Sequence, residues 1–161
     1  LRCPADHVVS SIQRQAGWSG RARSISLNAM IGYAGEFMYG ASNTNNPGYR
    51  QYLRLGDVRA AASIFTFIDE HPDSINDAYF LNRVDRPEWV DLPGSYHGGS
   101  TPVSYADGHA EIRRWRSRLT TPAARPDAAN LPLAVPAHDP DFAWLVERTT
   151  MVVDPPPSDL N

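Results

Sequence analysis

Residues 95–115 read SYHGGSTPVSYADGHAEIRRW, and the alternation within this stretch decides the fold class. Two runs, 101–106 and 109–115, flank Asp107-Gly108. Asp-Gly favours a two-residue type I′ turn, in which both central residues take positive φ. Pairing Ala106 with His109 sets Val103 opposite Ile112 and Tyr105 opposite Ala110, an apolar face. Ser104, Ala106, His109, Glu111 and Arg113 then share the polar face. This pattern predicts a half-buried hairpin in an antiparallel sheet.

Other elements are read outward from that hairpin. SIFTFI at 63–68 is a β-branched and aromatic strand, ended by Asp69-Glu70-His71-Pro72. RSISLN at 23–28 alternates and reads as a short strand, whereas 53–58 fits a strand or a helical turn. ASNTNNPG at 41–48 is a loop by composition. Residues 73–91 are loop-like and acidic, with Trp89 as anchor, and 120–138 form a Pro- and Ala-rich extended connection. Asp139-Pro140 opens a short helix over about 139–148, with Asp as N-cap and Pro at N1. Phe142, Leu145 and Val146 lie on one face of it. Asp154 and the three prolines after it predict an irregular tail. The expected organisation is a β-rich α+β core over 1–119, followed by an extension over 120–161.

The totals narrow the function classes. The 161 residues favour one domain, and 42% hydrophobic with 20% charged residues permits a core. A net charge of −3 gives no reason to expect nucleic acid as a partner. The basic run RRWRSR at 113–118 reads as a solvated strand end. The longest apolar run, 60–68, is interrupted by Ser63 and Thr66, and a membrane-spanning helix needs ~20 apolar residues. Cys3 is the single cysteine, which is read as excluding both an internal disulfide and a cysteine-based zinc site. It reads as a half-buried thiol.

Three groups of residues bear chemistry: Asp69-Glu70-His71, His97, and Asp107 with His109 and Glu111. They converge if the two strands are neighbours. Imidazole and carboxylate suit a divalent metal such as zinc or manganese, making Asp69, His71, His97, Asp107 and His109 the candidate ligands. Adjacent strand residues point to opposite faces, so Asp69 and Glu70 serve one site only if the strand has ended. A hydrolase acting on a polymer such as polysaccharide would use Glu70, His97 and Asp107 as acid and base. Nearby Tyr, Trp and His would suit sugar stacking. In the structural reading, His97 bonds a backbone carbonyl or the Asp107 carboxylate, Asp107 is a turn residue, and Asp69 and Glu70 cap backbone N–H groups.

His97, nine residues, then Asp107-Gly108 resembles the motif of prepilin-type processing-associated domains of pseudopilin-like proteins. RCPAD at 2–6, RSISLN at 23–28, FIDEHPDSIND at 67–77, YADGHAE at 105–111 and WLVERTT at 144–150 are also similar to the family's pattern. The resemblance implies a type IV pilin-like fold, a long N-terminal helix on an antiparallel sheet. It implies membrane attachment through that helix, a cell-envelope or extracellular location, and pilin or secretion-system subunits as partners. The helix does not precede the sheet in this sequence, so an upstream part is expected. An apolar face left by it would be covered by another chain, by 7–60 or by 139–150, which makes self-association an expectation. The first functional expectation is thus a non-enzymatic head domain in which Asp69, Glu70, His97, Asp107 and Gly108 act as staples.

Overall fold

The computed structural model describes residues 2–9 and 11–153, and the tail expected at 154–157 lies outside the described residues. The fold is β-rich α+β. Its strands are β1 (Ile25–Asn28), β2 (Met38–Tyr39), β3 (Ser42–Asn43), β4 (Asn46–Arg50), β5 (Phe65–Asp69), β6 (Tyr79–Phe80), β7 (Glu88–Trp89), β8 (Ser100–Tyr105), β9 (Ala110–Arg114) and β10 (Leu133–Ala134). Two α-helices, α1 (Ser11–Gln15) and α2 (Pro140–Thr149), and two 3-10 turns, Gly35–Phe37 and Leu55–Asp57, complete the described residues' elements. The main sheet has the order β6-β1-β5-β8-β9, antiparallel except for the β1–β6 pair. β2-β3-β4 and β10-β7 form two small sheets.

β5 is the central strand because FTFID supplies branched and aromatic side chains to both faces. Its pairing with β8 shifts register between Phe65 and Phe67. This bulge resets the alternation, so that Phe65 and Ile68 both point into the core while Phe67 points out. The Ser104 hydroxyl accommodates it, accepting from Phe67 N at 3.1 Å and meeting Thr66 Oγ1 at 2.7 Å.

One sheet face carries the core. Phe65, Ile68, Val103 and Tyr105 pack with Phe80, Trp89, Leu92, Trp115, Val135, Phe142 and Leu145. Trp89 is the anchor expected for the long loop, and it meets Phe142 edge-on at 5.0 Å. α2 starts as its sequence dictates. Asp139 accepts from the backbone N–H of Asp141 and Phe142, and Pro140 occupies the first turn. The helix buries Phe142 and Leu145 in this core, which therefore crosses the expected 119/120 boundary.

The opposite face is largely bare. Cross-strand neighbours there include Leu27 with Phe67 and Tyr79, and Pro102 with Ile112. Phe67 and Tyr79 are each 43% exposed and Ile112 is 64% exposed.

Three local expectations are corrected. The hairpin register is displaced by one residue: Ser104 pairs with Ala110, Val103 with Glu111 and Pro102 with Ile112. The loop has three residues, closed by Gly108 N to Tyr105 O at 3.0 Å and Tyr105 N to His109 O at 2.9 Å. Only Gly108 takes positive φ, at 95°, and Asp107 does not, so the loop is not a type I′ turn. A one-residue slip exchanges the faces, which is why Ile112 is exposed and Glu111 lies beside Tyr105. The 41–48 loop holds β3 and the start of β4, and 53–58 contains the 3-10 turn Leu55–Asp57. The basic run is partly held, not simply solvated: Arg113 lies 4.3 Å over the Trp144 ring. The backbone N–H groups of Arg116 and Ser117 donate to Asp141.

The observed loop makes a prediction that the two-residue turn does not. Gly108→Ala should cost ~1–2 kcal/mol, the penalty for an L side chain in left-handed backbone. Asp107→Gly should also destabilise, because it loosens a residue of ordinary φ. Urea unfolding of both variants checks this; a gain from Asp107→Gly would favour the type I′ turn.

Candidate functional site

The chemistry-bearing residues gather where β5 ends. Asp69, Glu70 and His71 are consecutive and all buried. Backbone bonds fix their directions: Glu70 N donates to Ser24 O at 2.7 Å, His71 N to Leu92 O at 2.8 Å and Gly94 N to Asp69 O at 2.7 Å. The Tyr96 hydroxyl donates to Glu70 O at 2.9 Å. Gly94 is required by close approach, since a Cβ there would lie 2.6 Å from the Tyr96 ring.

Asp69 points to the bare face's end of the sheet, where residues 3–6 and 94–97 cover it. Its side chain is fully buried, and neither carboxylate oxygen has a hydrogen-bond partner. His97 Nε2 lies 3.8 Å from Asp69 Oδ2 and 3.1 Å from Cys3 Sγ. The three donor atoms all fall within 4.8 Å of one another. Cys3 is held by its own N–H, which donates to Ser24 Oγ at 2.7 Å. Burial pushes the Asp69 carboxyl up, and the Cys3 thiol and His97 only partly oppose this. Burial also pushes the Cys3 thiol up; the Ala5 backbone N–H opposes it, and the Asp69 charge adds to it.

This trio is not a nucleophilic triad. In a triad one imidazole nitrogen faces the nucleophile and the other faces the carboxylate. Here Nε2 faces both partners. A reactive cysteine also needs a lowered thiol pKa, and Cys3 is shifted the other way. What the arrangement offers is three metal-ligand atoms around one point.

The neighbouring acid and imidazole have other roles. Glu70 points to the core face, accepts from the Ser26 hydroxyl and leaves Oε1 unpartnered. Burial, and then the Asp91 charge, raise its pKa to about 8 against the opposition of Ser26, so at neutral pH it keeps its proton. It is 0% exposed, which removes it from any substrate. His71 is neutral: burial lowers its pKa, Nδ1 accepts from Asp73 N at 3.2 Å, and Nε2 donates to Ala123 O at 2.9 Å. Asp73 in turn accepts from the N–H groups of Asp127, Ala128 and Ala129. Burial opposes ionisation there, but these three donors together hold its pKa low.

Asp107 and His109 stand apart. β8 runs from Ser100, beside His97, to Tyr105 at the hairpin tip, and six residues of strand span ~20 Å. The expected bond between His97 and Asp107 is therefore not made. Asp107 instead meets His109 Nδ1 at 2.6 Å, and the His109 ring stacks on Tyr105 at 4.3 Å. Of the candidate ligands, Asp69 and His97 come together, while His71, Asp107 and His109 do not join them. Cys3 does join them, against the sequence argument that set it aside; a single cysteine supplies one ligand of a mixed set. A sequence separation of 94 between it and His97 hid the contact.

No family model, curated protein or solved structure matches the chain.

Glu70 gives a pH dependence of fixed sign. Its pKa rises from the ordinary 4.5 to about 8 on folding, so its contribution is complete below the lower value and is lost as pH climbs to the upper one. Asp91, raised to about 6 by burial, acts in the same direction. Each such group lowers stability by up to ~1.4 kcal/mol per pH unit within its window. Glu70→Gln should flatten this slope and unfold at higher urea than the parent at alkaline pH. An unchanged slope would show that Glu70 ionises freely in the folded chain.

Proposed function

We propose that the chain is the head domain of a pseudopilin-like protein of the cell envelope or secretion apparatus, with a structural role in assembly. One observation supports this most: the main sheet buries one face under α2 and leaves the other apolar and bare around Phe67, Tyr79 and Ile112. A pilin-like head needs such a face for its N-terminal helix. Residues 2–6 lie at the Asp69 end of the same face, so chain preceding them would arrive beside it. The segments carrying the resemblance act as staples in this reading. The Asp69 carbonyl, accepting from Gly94 N, and His97, meeting Cys3 Sγ, hold the loops at one end of β8, and Asp107-Gly108 close the hairpin at the other. Membrane attachment would come through the preceding helix; no described helix is long and apolar enough to cross a membrane. A hydrolase built on Glu70, His97 and Asp107 finds no support in a geometry that buries the first and separates the other two.

Two tests bear on this reading. The natural reading frame ahead of Leu1 should encode a processing glycine and a hydrophobic segment of ~20 residues; a frame without one overturns the proposal. Phe67→Ser with Ile112→Ser should change stability little, since surface substitutions usually stay within ~0.5 kcal/mol. The pair should nevertheless weaken binding of a peptide carrying that upstream helix, as read by fluorescence anisotropy. Equal binding by parent and double variant would place the helix elsewhere.

A further inference from the structure

We infer that Cys3, Asp69 and His97 form a binding site for one divalent transition-metal ion of the zinc type. The three side chains meet at the end of the sheet, whatever occupies its bare face.

Geometry is the first support. Tetrahedral zinc, with Zn–S ≈ 2.3 Å and Zn–N or Zn–O ≈ 2.0–2.2 Å, sets its ligand atoms ~3.3–3.6 Å apart. Here Sγ to Nε2 is 3.1 Å and Nε2 to Oδ2 is 3.8 Å. Small side-chain rotations would bring the three atoms onto one ion. Among the described residues no other three His, Cys, Asp or Glu side chains converge this closely.

The second support is independent of spacing. Asp69 is fully buried with both oxygens unpartnered, which is costly for a carboxylate. The buried cation that packs on Asp6 and Tyr96 does not relieve this. Arg21 is committed to Asp6 Oδ2 at 2.8 Å and to the Tyr96 hydroxyl at 2.7 Å. A bound cation would supply the missing partner. Donor chemistry then selects the metal: thiolate and imidazole favour zinc over magnesium or calcium. The His97 side chain is 37% exposed and gives a way in, while Cys3 and Asp69 are closed off. Three protein ligands leave a fourth position for water or a donor from a partner. Binding releases the Cys3 thiol proton, and the Asp69 proton where it is held, to solvent, so affinity falls as pH falls. The ion would tie the N-terminal segment, the end of β5 and the loop before β8 together.

The test uses the full chain, stripped with a chelator and titrated with zinc alone and with cobalt alone. Calorimetry should show one zinc per chain. The cobalt form should show a near-ultraviolet thiolate-to-cobalt charge-transfer band, and zinc should slow alkylation of Cys3, the single thiol. Cys3→Ser should abolish the band. Cys3→Ser, His97→Ala and Asp69→Asn should each weaken zinc binding by at least the ~10–100-fold that even outer-shell changes cost. His109→Ala should bind like the parent. If Asp69→Asn fails to fold, the other two variants decide, since they alter separate segments. Absence of saturable binding, a cobalt spectrum without the thiolate band, or undiminished binding by Cys3→Ser and His97→Ala would overturn the site.

Discussion

Three titratable side chains in a row, all buried, end the central strand, and much of the irregular structure exists to accommodate them. An ionised group taken out of water costs several kcal/mol unless it is paired. Asp69, Glu70 and His71 meet that constraint in three ways. His71 stays neutral and bridges Asp73 N to Ala123 O, which fastens the 121–129 segment. Glu70 keeps its proton and takes a bond from Ser26. Asp69 is likewise pushed up by burial, and the Cys3 thiol, the His97 imidazole and the Ser24 hydroxyl oppose this without completing a hydrogen bond to its oxygens. Segments 2–6, 91–97 and 121–129 all close over this point because the strand's last residues bring backbone and side-chain partners for each.

The same device recurs through the fold. With short strands and long connections, many buried backbone groups have no ladder partner, and side-chain amides and carboxylates take that place. Asn28 bonds Phe65 O and Thr149 O, joining β5 to the end of α2. Asn46 reaches Asn82 O and Val84 N, and Gln51 reaches Ala29 O and Gly32 O. Asp141 accepts from two backbone N–H groups after β9. Asn28, Asn46 and Asp141 are each 0% exposed, so these are interior struts and not surface decoration. They explain how a Pro- and Gly-rich chain with modest regular structure holds a defined core.

What the sequence made legible follows from interaction range. α2 was readable because Asp139, Pro140 and the Phe142–Leu145 spacing are local signals. Trp89 was readable because a large indole in an acidic loop has one economical place; Phe80 of the same loop is equally buried and was not singled out. β3 and β4 were hidden, as NTNNPG looks like a loop and becomes strand through pairing in its own small sheet and, for β4, with residues 151–153. The hairpin was placed correctly but its register was not. Alternation fits both registers nearly equally, and the choice turns on whether Asp107 takes positive φ, which Asp-Gly alone does not decide. Asp69 and His97 were both legible as candidates. Cys3 was not, because only the sheet topology brings residue 3 against residue 97.

The two unexplained features lie on one surface. Residues i and i+2 of a strand share a face, so Phe67 and Asp69 point the same way from β5. Where residues 3–6 and 94–97 fold over, that face is closed and contains an unpartnered carboxylate; two residues earlier it is apolar and 43% exposed. The change in cover follows from the side chains themselves. An apolar ring can wait in water for a partner at modest cost, whereas a buried carboxylate must be answered within the fold. Cover at Asp69 is thus intrinsic to the chain, and cover at Phe67 is left to whatever binds there. A partner laid along the bare face would end against the Cys3–His97 contact, so the state of that contact would shape the rim on which it rests.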